Sequence, residues 1–469
     1  MTRPDRGTFH ARMKSMMASI RQEIMTGSYK PGDFLPSETT LSEQYRLSKN
    51  SVRQVLDQLL EQGMIVKIPR VGTQVAVQME QASVRFGVSP SLIRETGMEE
   101  LLRLFHDRHP HIQVEIVELP QDDGGIESLL RLGMLDVFTV SDIDSMRLRE
   151  TGAQQLLEKT ACKEDVYPFV RTMFETDEAG MLLAQPFVYS PVIVCYNAAH
   201  LREKRLYGPA NGWTWDDLSG LLRQLKAPSR FGMFFQLSSI RRWPVFMLQN
   251  GVRFERDSSG KLLPERPGAL SGLRKLRELV HEEGMFPLAM AMGDYSPEKL
   301  FMQQKVSVIL TTYYRLNELK DAEFEYDIAQ LPRLEGGETL LLATGLAVSA
   351  HSKQKEAALC LADFLASDAA QTHIRKHTFS LPASKWVTEY EKVELPRKPS
   401  RLELHREMTP YVASCDRINL SGEQLFRLGE CLQLYFAGLA DEEELLRLFN
   451  EALPDEEGGQ GADGRLLHR

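Results

Sequence analysis

The sequence has few cysteines, and none of them is close to another. Five occur in 469 residues, and no CxxC pair is present. An odd number of widely spaced cysteines excludes a zinc ribbon and a dithiol motif and indicates free thiols in a reducing compartment. We therefore expect a cytoplasmic protein. The cysteines are Cys162, Cys195, Cys360, Cys415 and Cys431.

Long apolar segments are also absent. No run approaches the roughly 18 apolar residues that a membrane helix needs. The nearest segment, Thr339–Ala350, is short and is interrupted by Gly345. The first 17 residues include basic side chains but no apolar stretch long enough for a signal peptide. We expect neither membrane insertion nor export.

Positive charge is scarce in the chain as a whole. The net charge is −9, yet residues 1–80 carry 11 Lys and Arg against 8 Asp and Glu. Only this first segment has the sign that favours phosphate. The chain is also too long for one ordinary core, so we expect two or three folded units.

Residues 1–78 have the pattern of three helices followed by a hairpin. Apolar residues recur at helical spacing in the first and third segments, and Ser37 and Ser48 are suitable N-caps. This order of elements is typical of a winged helix-turn-helix. The predicted elements are a helix over about 9–26, a helix that Ser37 caps, a helix over about 49–62, and strands over 64–68 and 73–77.

The start of the third helix has side chains suited to DNA. Lys49, Asn50 and Arg53 lie off the apolar stripe. Lys and Arg suit guanine and phosphate, whereas Asn suits adenine, and a recognition helix presents such residues near its N-terminus. Taken alone, this pattern is also that of an ordinary exposed helix face.

Longer motifs favour the DNA-binding interpretation. LPSE at 35–38, SKNSVRQVL at 48–56, LLEQGMI at 59–65 and GTQV at 72–75 together resemble the GntR family of bacterial regulators. Thr39 stands where that family often has arginine, Arg70 where it usually has glycine, and Lys49 where arginine is commoner, so the operator cannot be transferred. The resemblance implies DNA contacts from Ser37, Thr39, Ser48, Lys49, Asn50, Ser51, Arg53, Arg70, Gly72 and Thr73.

After a polar linker at 79–83, strands and helices alternate. Strand-like segments at 84–88, 112–119 and 135–140 flank a helical segment at 99–108. This alternation predicts an α/β architecture. It continues to about residue 380 and then becomes helical, and residues 455–469 are expected to be a flexible tail.

Six motifs in this region resemble the extracellular solute-binding proteins of ABC importers, the group that includes maltose-binding protein. They are FHDRHPHIQV at 105–114, LDVFTV at 135–140, QPF at 185–187 with VCYN at 194–197, WTWDDL at 213–218, DIAQLP at 327–332, and 357–365. The resemblance implies a two-lobed periplasmic-binding-protein-like domain over 84–454. Lobe one would hold about 84–188 and 345–378, and lobe two 189–344 and 379–454. Strands near 186–194 and 344–348 would cross between the lobes.

A cleft between such lobes is where a small ligand binds. Aromatic rings with hydroxyl and acidic groups suit a sugar, although core packing is the alternative for each residue. From their positions after strands and at the crossovers, the expected ligand contacts are Ser89, Asp142 (or Ser141), Tyr189, Trp243, Tyr313, Tyr314 and Thr344.

Together these patterns predict a homodimeric transcription regulator that binds a double-stranded DNA operator and senses a small solute, without catalysis, cofactor or metal. Two alternatives remain. GntR-type regulators also occur fused to a pyridoxal-phosphate aminotransferase-like domain, and Lys385 is the candidate Schiff-base lysine. His106, His109 and His111 have a spacing that can bind metal.

Overall fold

The computed structural model describes residues 6–25, 28–61, 63–76, 82–120, 125–163, 165–259, 261–264, 268, 270–291, 293 and 295–452. The N-terminal part, residues 6–76, is called the head, and residues 82–452 are called the body. Their hydrophobic cores share no residue. The predicted tail and linker residues 79–81 lie outside the described residues, whereas linker residues 82 and 83 belong to the first strand of the body.

The head contains the predicted three helices and hairpin. The Ser37 hydroxyl accepts a hydrogen bond from the Thr40 amide at 3.2 Å, and the Ser48 hydroxyl accepts one from the Ser51 amide at 3.2 Å. Each bond satisfies one amide that the first helical turn leaves without a partner. The elements are α1 (Arg6–Met25), α2 (Glu38–Tyr45), α3 (Lys49–Glu61), β1 (Ile65–Ile68) and β2 (Gly72–Val75).

One face of α1 packs against one face of α3 to form the core of the head. Met16 and Ile20 are buried on α1, and Val52 and Leu56 are buried on α3. These positions follow the helical spacing that the sequence showed. Leu60, which also fits that spacing, is 38% exposed because it lies at the margin of the buried stripe.

The body has 14 strands and 17 α-helices among the residues described. Its strands are β3 (Ala82–Val88), β4 (Ile112–Glu118), β5 (Val137–Ser141), β6 (Thr160–Ala161), β7 (Met181–Leu182), β8 (Gln185–Asn197), β9 (Phe231–Phe234), β10 (Phe254–Arg256), β11 (Leu262–Pro264), β12 (Val306–Thr312), β13 (Tyr326–Ala329), β14 (Thr339–Val348), β15 (Leu381–Pro382) and β16 (Val412–Ala413).

Helices pack against the strands in both halves of the body. They are α4 (Pro90–Thr96), α5 (Met98–Arg108), α6 (Gly125–Arg131), α7 (Asp142–Glu150), α8 (Pro168–Arg171), α9 (Ala198–Glu203), α10 (Trp215–Leu225), α11 (Pro244–Leu248), α12 (Ser271–His281), α13 (Leu288–Ala291), α14 (Pro297–Met302), α15 (Lys355–Leu365), α16 (Asp368–His377), α17 (Lys385–Tyr390), α18 (His405–Met408), α19 (Gly422–Phe436) and α20 (Glu442–Ala452). No described helix is both long and apolar enough to cross a membrane.

Two long central strands join the lobes. The main path of the sheet runs β4-β3-β5-β14-β8-β12-β9, so β3, β4 and β5 form lobe one and β9 and β12 belong to lobe two. The first half of β8 pairs with β14, and its second half pairs with β12. All 13 residues of β8 are buried. The two crossing segments expected near 186–194 and 344–348 lie in these strands.

Residues 381–390 contact lobe one, although the sequence placed residue 379 onward in lobe two. β15 pairs with residues 188–189 of β8. The Ser384 hydroxyl donates to an Asp165 carboxylate oxygen at 2.6 Å, and the Tyr167 hydroxyl donates to Glu389 at 3.2 Å. The chain returns to lobe one here because β15 extends the sheet beside β8. We therefore place residues 381–390 in lobe one.

Candidate DNA-binding surface and interlobe cleft

The start of α3 is an exposed basic surface. Lys49 and Asn50 are exposed in the first turn, and the Arg53 side chain is 56% exposed one turn later. Ser48, the N-cap, is exposed beside them. These four predicted contacts therefore lie together where a recognition helix meets base edges and phosphates.

Ser51 does not lie on this surface. Its side chain is 3% exposed, and its hydroxyl lies 2.7 Å from the Ser48 hydroxyl. Ser51 precedes the buried Val52 and faces the core side of α3, so its hydroxyl is used to begin the helix. We correct the expected base or phosphate contact at Ser51 to a structural role.

An ion pair that the sequence analysis did not predict connects α3 to α2. The Arg53 guanidinium lies 2.8 Å from Glu38 at the first position of α2. Because both groups are partly exposed, such a pair stabilises the fold by about 1 kcal/mol at most. Its effect is to connect the exposed guanidinium of α3 to the start of α2. The LPSE motif that supplies Glu38 was the available signal.

The wing is connected to the same region. The Leu35 amide donates to the Thr73 carbonyl oxygen at 2.9 Å, which joins the segment before α2 to strand β2. Arg70, at the exposed tip, has a φ of 66°, and Gly72 has a φ of 149°. A side chain at Gly72 would be strained by this positive φ, although a Cβ there would stand in ordinary van der Waals contact with the Phe34 ring at 3.4 Å.

The remaining predicted contacts of the head are accessible. Ser37 and Thr39 are exposed at the start of α2, and Thr73 is half-buried in β2. Ser37 also caps its helix, so its hydroxyl already has a partner in the Thr40 amide.

A cavity of about 580 Å³ lies between the two lobes and is called the cleft. Its volume falls within the range of sites that bind small molecules. Three of the seven predicted ligand residues, Ser89, Tyr314 and Thr344, line it. The full lining is Ser89, Ser91, Leu92, Glu95, Leu119, Pro120, Ile126, Glu127, Thr139, Ser141, Asp144, Arg147, Leu148, Thr151, Gln236, Ser239, Arg241, Arg242, Pro297, Glu298, Thr312, Tyr314, Arg315, Leu342 and Thr344.

The topology explains why those three residues meet. Ser89 follows β3 in lobe one, Tyr314 follows β12 in lobe two, and Thr344 lies within β14, which crosses between them. The Tyr314 hydroxyl donates to the Leu342 carbonyl oxygen at 3.4 Å, which fixes the ring against the crossing strand.

Two predicted aromatic contacts, Trp243 and Tyr313, are buried in the core. Trp243 has no exposed surface, and neither has Tyr313. The Tyr313 hydroxyl donates to the Leu402 carbonyl oxygen at 3.0 Å and accepts from the His405 amide at 3.0 Å. Tyr313 and Tyr314 are adjacent, so the chain directs one ring into the core and the other into the cleft. Neither Trp243 nor Tyr313 lines the cleft.

Tyr189 and Asp142 are also buried away from the cleft. Tyr189 packs edge-on against Tyr167 and Phe169, with ring centroids 5.6 Å apart in both pairs. Asp142 is 4% exposed, and burial raises its pKa to about 6 against the opposing effect of Arg241. Ser141, the alternative to Asp142, does line the cleft.

A cluster of charges joins the two lobes at the cleft. Arg315 of lobe two lies 2.8 Å from Glu318, 3.6 Å from Glu298 and 3.8 Å from Glu95 of α4 in lobe one. Burial raises the pKa of Glu95 to about 7, although Arg315 lowers it. Glu95 therefore titrates near neutral pH at the point where lobe two contacts lobe one.

Arg241 and Arg242 line the cleft and were absent from the predicted ligand set. They lie in the loop between β9 and α11. Burial lowers the pKa of Arg242 to about 10, and its guanidinium donates to the Arg241 carbonyl oxygen at 2.8 Å. Two adjacent cations after a strand of lobe two were the available signal, since loops at strand ends commonly line ligand sites.

The two alternatives from the sequence gain no site in the described part of the chain. No three His, Cys, Asp or Glu side chains among those residues form a group that could hold a metal ion. His109 instead stacks on Phe105, with centroids 4.8 Å apart, and lies 3.5 Å from the Cys360 thiol. Lys385 is exposed at the start of α17 and does not line the cleft.

A winged helix followed by a two-lobed α/β domain with an interlobe cleft defines the class: a DNA-binding regulator domain joined to a solute-binding fold. Residues 13–75 match the profile of bacterial regulatory proteins of the gntR family. Residues 105–399, more than half of the chain, match that of bacterial extracellular solute-binding proteins. The chain therefore belongs to the solute-binding protein family and has a GntR-type domain at its N-terminus.

Individual relatives match either most of the chain or only a short segment of it. The galactooligosaccharide-binding protein of Bacillus subtilis is 24% identical over 372 residues, which is 75% of this chain and 85% of that protein. The uncharacterized HTH-type transcriptional regulator YieP of Escherichia coli is 41% identical over 59 residues, 13% of this chain and 26% of that protein. The mannosyl-D-glycerate transport/metabolism system repressor MngR of E. coli is 36% identical over 107 residues, 22% of this chain and 40% of that protein.

Solved structures confirm the two-lobed fold. An ABC substrate-binding protein of Listeria monocytogenes in complex with cycloalternan is 18% identical, with a TM-score of 0.68, and the match covers 79% of this chain and 97% of that one. A maltose-bound binding protein of T. maritima is also 18% identical, with a TM-score of 0.67, over 79% of this chain and 98% of that one.

Proposed function

We propose that the chain is a transcription regulator whose head binds a DNA operator and whose cleft binds a small solute that changes the affinity for DNA. The observation that carries this proposal is the combination, in one chain, of an exposed basic recognition helix and a cavity of about 580 Å³ between two lobes. We further propose that it works as a cytoplasmic homodimer.

The structure of the head supports the proposed binding of a DNA operator. Lys49, Asn50 and Arg53 provide two cations and one amide at the exposed end of α3. A dimer would place two such helices in successive major grooves, with half-sites about one DNA turn apart.

The structure of the body supports the proposed sensing of a small solute. Solute binding between lobes that share two crossing strands favours the closed state, and Arg315 with Glu95 already links the two lobes across the cleft. Closure alters the spacing or freedom of the two heads of the dimer, and a coupling of about 1–3 kcal/mol changes DNA affinity roughly 5- to 150-fold.

The names of several relatives favour a sugar-like solute. They include a galactooligosaccharide-binding protein and proteins solved with cycloalternan and with maltose. The proposal contains no catalytic step, which agrees with relatives named as regulators and binding proteins.

The test uses the full chain and two measurements. Duplexes selected from a random library would define the operator, and fluorescence anisotropy would then measure affinity with and without sugars and sugar derivatives. We expect one selected inverted repeat and at least one solute that shifts its affinity. Failure to enrich any duplex at low salt would contradict the proposed DNA binding. Analytical ultracentrifugation would test whether the protein is a dimer.

A further inference from the structure

The cleft has few aromatic rings for a site that binds neutral sugars. Among the described residues that line it, Tyr314 is the only aromatic one, and its side chain is 5% exposed. Trp213, Trp215 and Trp243 are buried in lobe two, and Trp386 lies on the exposed side of α17. Recognition in the cleft must therefore depend mainly on polar and charged groups.

Four acidic side chains line the cleft, and each already has a partner. Glu127 lies 2.7 Å from Arg131, and Asp144 accepts hydrogen bonds from the amide and hydroxyl of Ser141.

The other two belong to the charge cluster described above. Glu298 accepts a hydrogen bond from the Thr311 hydroxyl at 2.7 Å and lies 3.6 Å from Arg315, which also pairs with Glu95. The acidic groups of the cleft thus have close partners of their own. They act on Arg241 and Arg242 only from beyond ion-pair distance, as Glu298 does on Arg242 and Glu95 on Arg241.

Arg241 and Arg242 are two cations of the cleft that lie outside this cluster. In the described part of the chain, neither guanidinium has a carboxylate within 4.0 Å. The polar groups nearest in sequence that share the cleft with them, Gln236 and Ser239, carry no charge. Arg241 is exposed and Arg242 is partly buried, and the free-energy cost of burying the Arg242 charge falls when an anion binds.

We propose that the effector is an anionic solute of sugar size, bound through a phosphate or carboxylate group between Arg241 and Arg242. This inference rests on the proposed sensing function of the cleft. The planar guanidinium forms paired hydrogen bonds with both kinds of anion. Ser89, Ser141 and Thr344 on the opposite wall and the crossing strand would then accept or donate hydrogen bonds to the hydroxyl groups of the same ligand.

The first measurement uses sodium phosphate as the probe, with sodium chloride at equal ionic strength as the reference. The full chain is heated and the tryptophan fluorescence is followed, since all four tryptophans lie in the body. We expect phosphate to raise the melting temperature of the wild type, and Arg241→Gln and Arg242→Gln each to reduce that rise at least several-fold. Arg241 is exposed, so its variant remains informative if Arg242→Gln fails to fold.

Arg223→Gln is the matched control, because Arg223 is an exposed lobe-two arginine that pairs with Glu282 at 2.7 Å, away from the cleft. It should keep the full response to phosphate. Equal shifts by phosphate and chloride, or a response that survives in both cleft variants, would overturn the anion site.

A second measurement separates this inference from the sensing function. Glucose, glucose 6-phosphate, glucuronate and maltotriose are compared for their effect on operator binding by the wild type and Arg241→Gln. A response to either charged sugar that Arg241→Gln loses supports the proposal. A response to glucose or maltotriose that Arg241→Gln retains would overturn the anion site but leave solute sensing intact.

Discussion

The head and the cleft use charge in opposite ways. On the head, cations such as Lys49 and Arg53 are exposed and close together in the sequence, and Arg53 pairs with a partly exposed carboxylate, that of Glu38. In the cleft, charges come from segments as distant as Glu95 and Arg315, and burial shifts their protonation. A surface that binds a long polyanion can keep its charges hydrated, whereas a cavity must balance each charge or leave it for a ligand.

The largest expected effect tests whether the two cores are independent. Leu56→Ala removes a buried side chain from α3 and should destabilise the head by about 2–5 kcal/mol. Because every tryptophan lies in the body, fluorescence-detected urea unfolding should not change, while operator binding is lost at lower urea. Leu346→Ala in β14 is the matched variant. It should shift the fluorescence-detected unfolding of the body to lower urea and leave the urea dependence of operator binding unchanged. Equal shifts of both transitions in either variant would contradict separate cores.

The next effect concerns the charge of Glu95 and the pH. Because burial raises its pKa to about 7, the folded body holds this proton at pH values where the unfolded chain, with a pKa of about 4.3, has released it. Stability therefore falls as the pH rises from about 4.5 to 7, by roughly 3 kcal/mol, and the loss is complete above that window. Glu95→Gln should flatten this dependence.

Urea unfolding by tryptophan fluorescence at several pH values measures the effect. Glu99→Gln provides the control, since Glu99 is exposed in the neighbouring helix. If wild type and Glu95→Gln keep the same slope between pH 5 and 7, the assignment of the buried proton to Glu95 is wrong.

A smaller effect is expected at the recognition helix. Arg53→Ala should weaken operator binding by about 1–3 kcal/mol and relax sequence preference, because a guanidinium can read a guanine edge. Anisotropy titrations against the selected operator and a scrambled duplex give both quantities. Arg223→Ala, which removes another exposed and paired arginine, should leave them unchanged. Unchanged operator affinity in Arg53→Ala would remove Arg53 from the contact set.

The smallest effect compares the same chemistry in both regions. Ser37→Ala removes the cap of α2 and should destabilise the head by about 1 kcal/mol, whereas Thr214→Ala removes the cap of α10 and should destabilise the body by a similar amount. Operator binding in urea reports the first variant and tryptophan fluorescence the second. If Thr214→Ala lowers the urea concentration at which operator binding is lost, the head and the body are coupled.

The sequence predicted the head better than the cleft. The elements of the head follow from helical spacing, two serine caps and glycine-rich turns within about 70 residues, and exposure is easy to infer for polar residues off an apolar stripe. Ser51 was the error, because a small hydroxyl near a helix start serves a cap as readily as a phosphate. In the body, the crossing strands were predicted, but four of the seven proposed ligand residues do not line the cleft.

That difference has a physical cause. Local patterns determined the winged helix, the alternation of strands and helices and the order of the two domains, since these depend on spacing and on capping within a few residues. Only the tertiary structure decided which of Tyr313 and Tyr314 faces the cleft, that Arg315 meets Glu95, and that no carboxylate of the described residues lies within 4.0 Å of the Arg241 or Arg242 guanidinium. Such outcomes depend on where loops from distant strands meet, and a side chain's direction there is set by packing rather than by its neighbours in the sequence.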